Sequence, residues 1–276
     1  VALKVVQNYQ EIELRGIRNC MNLKSPYLVS IFDVRHNADG EPFVIMEFVD
    51  GPSLRSLLDA NPDGLGPTKA AFFLREIAKG LSYLHDAGVV HRDLKPHNVF
   101  YEEGYVKIGD YSLCKLITNT QHSGHTMTVG SVHYMAPEIS HGRYDSSVDI
   151  YALGAMLYEM LTGSPPFQGE SVGEILMKHL NEEPDLSQIQ EPFRSVVRRA
   201  MAKAPEDRYD SAADMVADIY GNQHIENSVG AFDPQELTMV AARVAGQNPR
   251  EPQVVGAGGG GSAEDALPYA ELGEFK

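Results

Sequence analysis

His91-Arg-Asp-Leu-Lys-Pro-His-Asn98 is the stretch on which the reading of this 276-residue chain turns. His91, Arg92, Asp93, Lys95 and Asn98 stand at fixed spacing, a pattern that chance supplies in a chain of this length roughly once in ten thousand trials. A charged turn is the ordinary explanation of such a run, and the next forty residues weaken it. A short apolar run, Tyr105 to Ile108, leads through Gly109 to a single carboxylate, Asp110, and Ala136-Pro-Glu138 comes after it.

Before Thr68 the chain reads mainly as short strands, and from there onward helical patterns dominate. Val1 to Val6 and Pro42 to Glu47 are short β-type runs, the second following the Asn37-Ala-Asp-Gly40 turn signal and another apolar run, Leu28 to Val34. Between them Ile12, Ile17, Cys20 and Leu23 mark a helical face over Gln10 to Leu23, ended by Ser25-Pro26. Helical patterns then cover Ala70 to His85, Ser146 to Leu161, Val172 to Leu180, Phe193 to Met201 and Ser211 to Tyr220. Strands first and helices later predict an α+β fold of two lobes, a small sheet lobe over about 1–48 and a larger helical lobe over about 49–221. Beyond residue 221 a tail is expected. Asp233-Pro-Gln-Glu236 reads as the start of a short helix over about 233–245, and Gln247 to Ser262, ending in GGGGS, reads as a flexible linker.

The bulk composition excludes several classes. With 43% hydrophobic residues the chain can bury a sizeable core, and a net charge of −15 opposes nonspecific binding to nucleic acid or acidic lipid. Cys20 and Cys114 are the only cysteines and lack metal-ligand spacing, so a disulfide framework is not expected and a reducing, cytoplasmic compartment is. No apolar run approaches the roughly 18 residues a bilayer crossing needs; a membrane anchor beyond the C-terminal linker is left open. The chain opens at Val1 inside an apparent strand, so its N-terminus is expected to be a cut.

Phosphoryl transfer accounts for the residue types at 91–98 and at 110. Charge developing on the transferred group needs cations, and the incoming hydroxyl needs an oriented acceptor. Asn98 and Asp110 would supply hard oxygen ligands to Mg²⁺, leaving its other positions to ATP oxygens and water. Asp93 would accept the hydroxyl proton, Lys95 would neutralise the phosphoryl group, and Lys4 would hold the α- and β-phosphates.

Taken with Val1-Ala-Leu-Lys4 and Pro205-Glu-Asp-Arg208, these motifs resemble those of the eukaryotic-like (Hanks-type) serine/threonine protein kinases of bacteria, over Val1 to about Gly221. The resemblance implies ATP in a cleft between the lobes. It also implies that Met46 is the gatekeeper, that adenine lies along the backbone of Glu47 and Val49, and that Ala2 and Phe100 cover its faces. Asp149 would brace the catalytic loop, Glu138 and Arg208 would form a buried ion pair, and Lys95 with Gly130-Ser131 would mark protein Ser/Thr hydroxyls as acceptors. Arg92 would bind a phosphate on the activation segment, for which Thr126 and Thr128, with Thr118 behind them, are the candidates.

The chain departs from the family pattern in three places. The Gly-rich phosphate loop would precede Lys4 and is not in the chain, so weak ATP binding is expected of the fragment. The usual spacing back from Pro26 lands on Gly16, and the partner of Lys4 is instead expected at Glu13, one turn earlier on the same helix face. Tyr111-Ser112 stands where the family has Phe-Gly, so a hydroxyl needs a partner and a residue with a Cβ must make the turn. Two alternatives stay open: a pseudokinase that binds nucleotide or partners without transfer, and a small-molecule kinase. The long segment around Ser131 and Ala136-Pro-Glu138 speaks against the second.

Overall fold

Strand alternation explains the small lobe. In the computed structural model, which describes residues 1–6, 11–111, 130–142 and 145–221 with Val229, Asp233 and Leu237, β1 (Ala2–Val5) turns Leu3 and Val5 outward. Ala2 and Lys4 face the other way, opposite Met46 and Val44 of β3 (Pro42–Met46). Val44 is fully buried, so this inner face is the one closed over by the rest of the molecule. β2 (Ile31–His36) pairs antiparallel with the other edge of β3, giving the order β1-β3-β2. Between β1 and β2 runs α1 (Glu11–Cys20), which buries Leu14, Ile17 and Cys20 at helical spacing. The helix stops at Cys20, short of the expected Leu23, which follows a turn closed by its own N–H on the Cys20 carbonyl.

Residues 48–53 connect sheet to helices and are fastened down as they pass. Asp50 N–H donates to Glu102 at 2.7 Å, Tyr101 N–H donates to the Pro52 carbonyl at 3.0 Å, and Ser53 bridges Phe100. A side chain at Gly51 would place its Cβ 1.7 Å from the Tyr101 carbonyl oxygen, so only glycine permits this approach. Ser53 then caps a short helix, α2 (Leu54–Asp59), which periodicity did not reveal.

The large lobe is built on two long helices. α3 (Pro67–Asp86) begins with proline at its first position and buries one face. α4 (Ser147–Thr162) is buried almost all round, the mark of a helix in the centre of a core, and ends at Gly163 in the left-handed region. Around them pack α5 (Val172–Asn181), α6 (Phe193–Ala200) and α7 (Ala212–Tyr220), with α5 and α7 capped by Ser171 and Ser211. A β-hairpin of β4 (Val99–Glu102) and β5 (Tyr105–Ile108) lies against α3, where Gly80 makes room for Ile108. Of the expected tail, Val229, Asp233 and Leu237 are described: Val229 and Leu237 are helical and buried, and Asp233 is exposed and outside any helix. The rest of the 233–245 helix and the linker lie outside the described residues.

Candidate active site

The β4–β5 hairpin brings the key positions together. Its register pairs Val99 with Ile108 and continues past the strands, where Gly109 N–H donates to the Asn98 carbonyl at 2.7 Å. Asn98 and Asp110 therefore leave the same open end of one hairpin. Asp110 sits in the left-handed region at φ +57°, which removes it from strand alternation at a cost on the order of 1 kcal/mol. Its carboxylate forms an ion pair with Lys4, reaching across from β1.

On the other side of Asn98, the loop 91–97 folds onto itself. Asn98 Nδ2 donates to the Asp93 carbonyl at 2.8 Å, which leaves the amide oxygen as the group's acceptor. Lys95 Nζ lies 2.7 Å from Asp93 Oδ2 and 2.7 Å from Ser131 Oγ, so one ammonium joins the loop to the segment after Gly130. Partial burial pushes the His97 imidazole down, the nearby Lys95 and Arg55 cations add to it, and the Asp59 and Glu159 carboxylates act against it.

Two buried residues, Asp149 and His91, hold this arrangement, and the family resemblance assigned a supporting role only to the first. The Asp149 carboxylate accepts from His91 N–H and Arg92 N–H at 2.8 Å each, and lies 2.8 Å from His85 Nε2, which donates because a carboxylate can only accept. Arg92 is thereby held at φ +68°. His91, completely buried, points Nε2 at the Gly109 carbonyl, 3.0 Å away. A carbonyl accepts, so Nε2 carries the proton and Nδ1 receives Asp93 N–H at 3.3 Å. One imidazole thus ties the loop of Asp93 to the segment of Asp110.

Further out, Glu138 and Arg208 meet in a two-pronged pair, Nη1–Oε1 at 2.6 Å and Nη2–Oε2 at 2.8 Å, with the guanidinium fully buried. A second buried carboxylate, Glu159 on α4, accepts from Arg55 of α2 at 2.6 Å and from the Tyr134 hydroxyl at 2.6 Å. Burial and the Glu159 charge push the Tyr134 phenol far up, so it stays a donor. Sequence reasoning missed this triad because nothing in the local sequence marks its members as neighbours.

Ala2, Met46 and Phe100 are half-buried, Ala2 and Met46 being direct cross-strand partners. Glu47 accepts from Ser30 N–H at 3.0 Å and is ion-paired with Lys107. The side chain of Glu13 and the whole of Thr118, Thr126 and Thr128 lie outside the described residues, so the structure does not bear on their pairing or modification.

A sheet lobe and a helical lobe thus meet where the loop of Asp93 lies beside the hairpin end of Asp110. Residues 1–220 match the protein kinase domain family, and the chain belongs to it. It is similar to the serine/threonine-protein kinase PrkC of Bacillus subtilis (strain 168), at 34% identity over 212 residues, 74% of this chain and 32% of that protein. It is also similar to serine/threonine-protein kinase PknB of Mycobacterium leprae (strain TN), 35% identical over 74% of this chain and 35% of that one. The PknB of Mycobacterium tuberculosis (strain ATCC 25177 / H37Ra) is 32% identical over 81% of this chain and 37% of its own length. The chain thus spans about a third of the length of these relatives. No helix among the described residues is long and apolar enough to cross a membrane.

Proposed function

We propose that the protein transfers the γ-phosphoryl group of ATP to serine and threonine hydroxyls of proteins, its own activation segment included. The observation that carries this reading is the cluster Asp93–Lys95–Ser131 beside the Lys4–Asp110 pair. It sets an acceptor, a cation and a peptide-binding segment next to a second cation and carboxylate from two other elements.

The donor set fits a divalent cation such as Mg²⁺. Asp110 offers a carboxylate and Asn98 an amide oxygen, both hard donors from one hairpin end. Among the described residues no three His, Cys, Asp or Glu side chains gather as a closed cage, which suits an ion completed by phosphate oxygens and water. When bound, the ion neutralises charge on the phosphates. Lys4 binds the α- and β-phosphates, with Glu13 as its partner on α1. Asp93 orients the incoming hydroxyl and takes its proton, and Lys95 stabilises the transferring group from the side of Ser131. Adenine lies between Ala2 and Phe100 next to Met46, along the backbone of Glu47 and Val49. None of the described hydrogen bonds uses the Val49 backbone N–H or C=O, so both are available to a base edge. Arg92 receives phosphorylated Thr126 or Thr128.

The test is the full-length protein with γ-labelled ATP and Mg²⁺, assayed on itself and on a generic basic substrate. Asp93→Asn should lower transfer by roughly 10²- to 10⁴-fold while leaving ADP affinity unchanged. Wild-type protein that neither transfers phosphate nor binds nucleotide in a metal-dependent way would instead be a partner-binding module.

A further inference from the structure

Tyr111 is buried to 1% exposure, and its hydroxyl donates to the Val29 carbonyl at 2.5 Å. That bond extends a short ladder. Ile108 N–H donates to the Tyr27 carbonyl at 2.8 Å and Val29 N–H to the Ile108 carbonyl at 2.9 Å, so segment 27–29 and segment 108–111 are joined three times. The Tyr111 carbonyl also lies 3.7 Å from Cys20 Sγ, at the end of α1. On its other side Asp110 is anchored through Gly109, whose N–H and C=O are engaged by Asn98 and His91. Asp110, in its left-handed conformation, is therefore clamped between two anchors, and the second of them is a phenol.

We propose that the Tyr111 hydroxyl is a positioning group: it holds the Asp110 carboxylate in the orientation that takes the cation. This rests on reading Asp110 as a metal ligand. A phenylalanine fills the same space, but only the hydroxyl reaches Val29. Turning the segment away would break that bond, so it biases the segment toward the arrangement with Asp110 beside Lys4.

The test compares wild type with Tyr111→Phe in the full-length protein, by three readouts. In nucleotide-free, metal-free protein, amide hydrogen exchange in peptides covering residues 109–111 should be faster in the variant, on the order of threefold to tenfold, the worth of one hydrogen bond. Affinity for ADP in excess Mg²⁺, measured by calorimetry, should fall by a similar factor, while affinity for ADP in EDTA stays the same. In transfer assays the Mg²⁺ concentration for half-maximal rate should rise, with kcat at saturating Mg²⁺ within about twofold of wild type. Unchanged exchange and unchanged metal-dependent affinity would overturn the proposal and leave Tyr111 a satisfied core hydroxyl. Wild-type protein whose ADP affinity ignores Mg²⁺ would overturn the reading of Asp110 instead, a different result from any difference between the two proteins.

Discussion

Arg208 satisfies both oxygens of Glu138 and also donates to the carbonyls of Ala202 at 2.8 Å, Lys203 at 3.1 Å and Ser147 at 3.0 Å. A guanidinium that donates on every side in a dry site has no substitute of the same shape. Truncating it leaves the buried Glu138 without its counter-ion and with only the Ser147 hydroxyl, 3.3 Å away, as a partner, so Arg208→Ala should lower unfolding free energy by about 3–5 kcal/mol, read from the urea midpoint at constant slope. At this scale the chain discloses positions better than supports. Asp93, Lys95 and Asn98 can be picked out by spacing because they lie within one octapeptide. What holds them cannot. Glu159 and Arg55 stand 104 positions apart, and the partner of the Tyr111 hydroxyl is a main-chain carbonyl, which carries no side-chain signature.

Whole elements were legible where they are long and periodic. α3, α4 and α7 begin and end within a few residues of their expected bounds, because each carries sustained apolar residues, with a proline at the start of α3 and a serine cap at the start of α7. α2 escaped notice for the opposite reason, since six residues are too few to display a period. α1 is shorter than its apolar pattern suggested, since Leu23 reaches the core from a turn. The contact between α3 and β5 carries a prediction of its own. A Cβ at Gly80 would lie 2.8 Å from Ile108 Cδ1 and 3.1 Å from the Tyr27 carbonyl, where the ladder to the small lobe begins. Gly80→Val should therefore displace β5, cost about 1–3 kcal/mol in thermal or urea unfolding, and reduce phosphoryl transfer although it lies outside the cluster around Asp93.

For the molecule as a whole, acid is the telling variable. His179 is 1% exposed, with Nδ1 2.8 Å from the Tyr151 hydroxyl, Phe167 against its ring and Lys203 on its carbonyl. Burial above all, then the charges of Lys203 and His133, pushes its imidazole from 6.5 down to about 3. Between those values the unfolded chain binds a proton that the native one refuses. Stability is therefore complete above about pH 6.5 and declines as the pH drops, by at most about 1.4 kcal/mol per pH unit for this group. Melting temperatures from pH 7.5 to 5 should fall for wild type and fall less steeply for His179→Gln, which keeps an acceptor but does not titrate. Hydrogen bonds and salt links that hold Asp33, Glu174 and Asp185 low deepen the loss only at more acid pH.

Two of the ties between the small sheet and the rest of the molecule are residues 50–53 on β4 and residues 27–29 on β5. Both land on a single hairpin, which also takes the Glu47–Lys107 ion pair on β5 and, at its open end, the Lys4–Asp110 pair. Asn98 and Asp110 emerge from that same hairpin, and Lys4 reaches Asp110 from a strand of the other lobe. A rocking motion of the sheet would thus have to part the lysine from the carboxylate before it could carry the strand away.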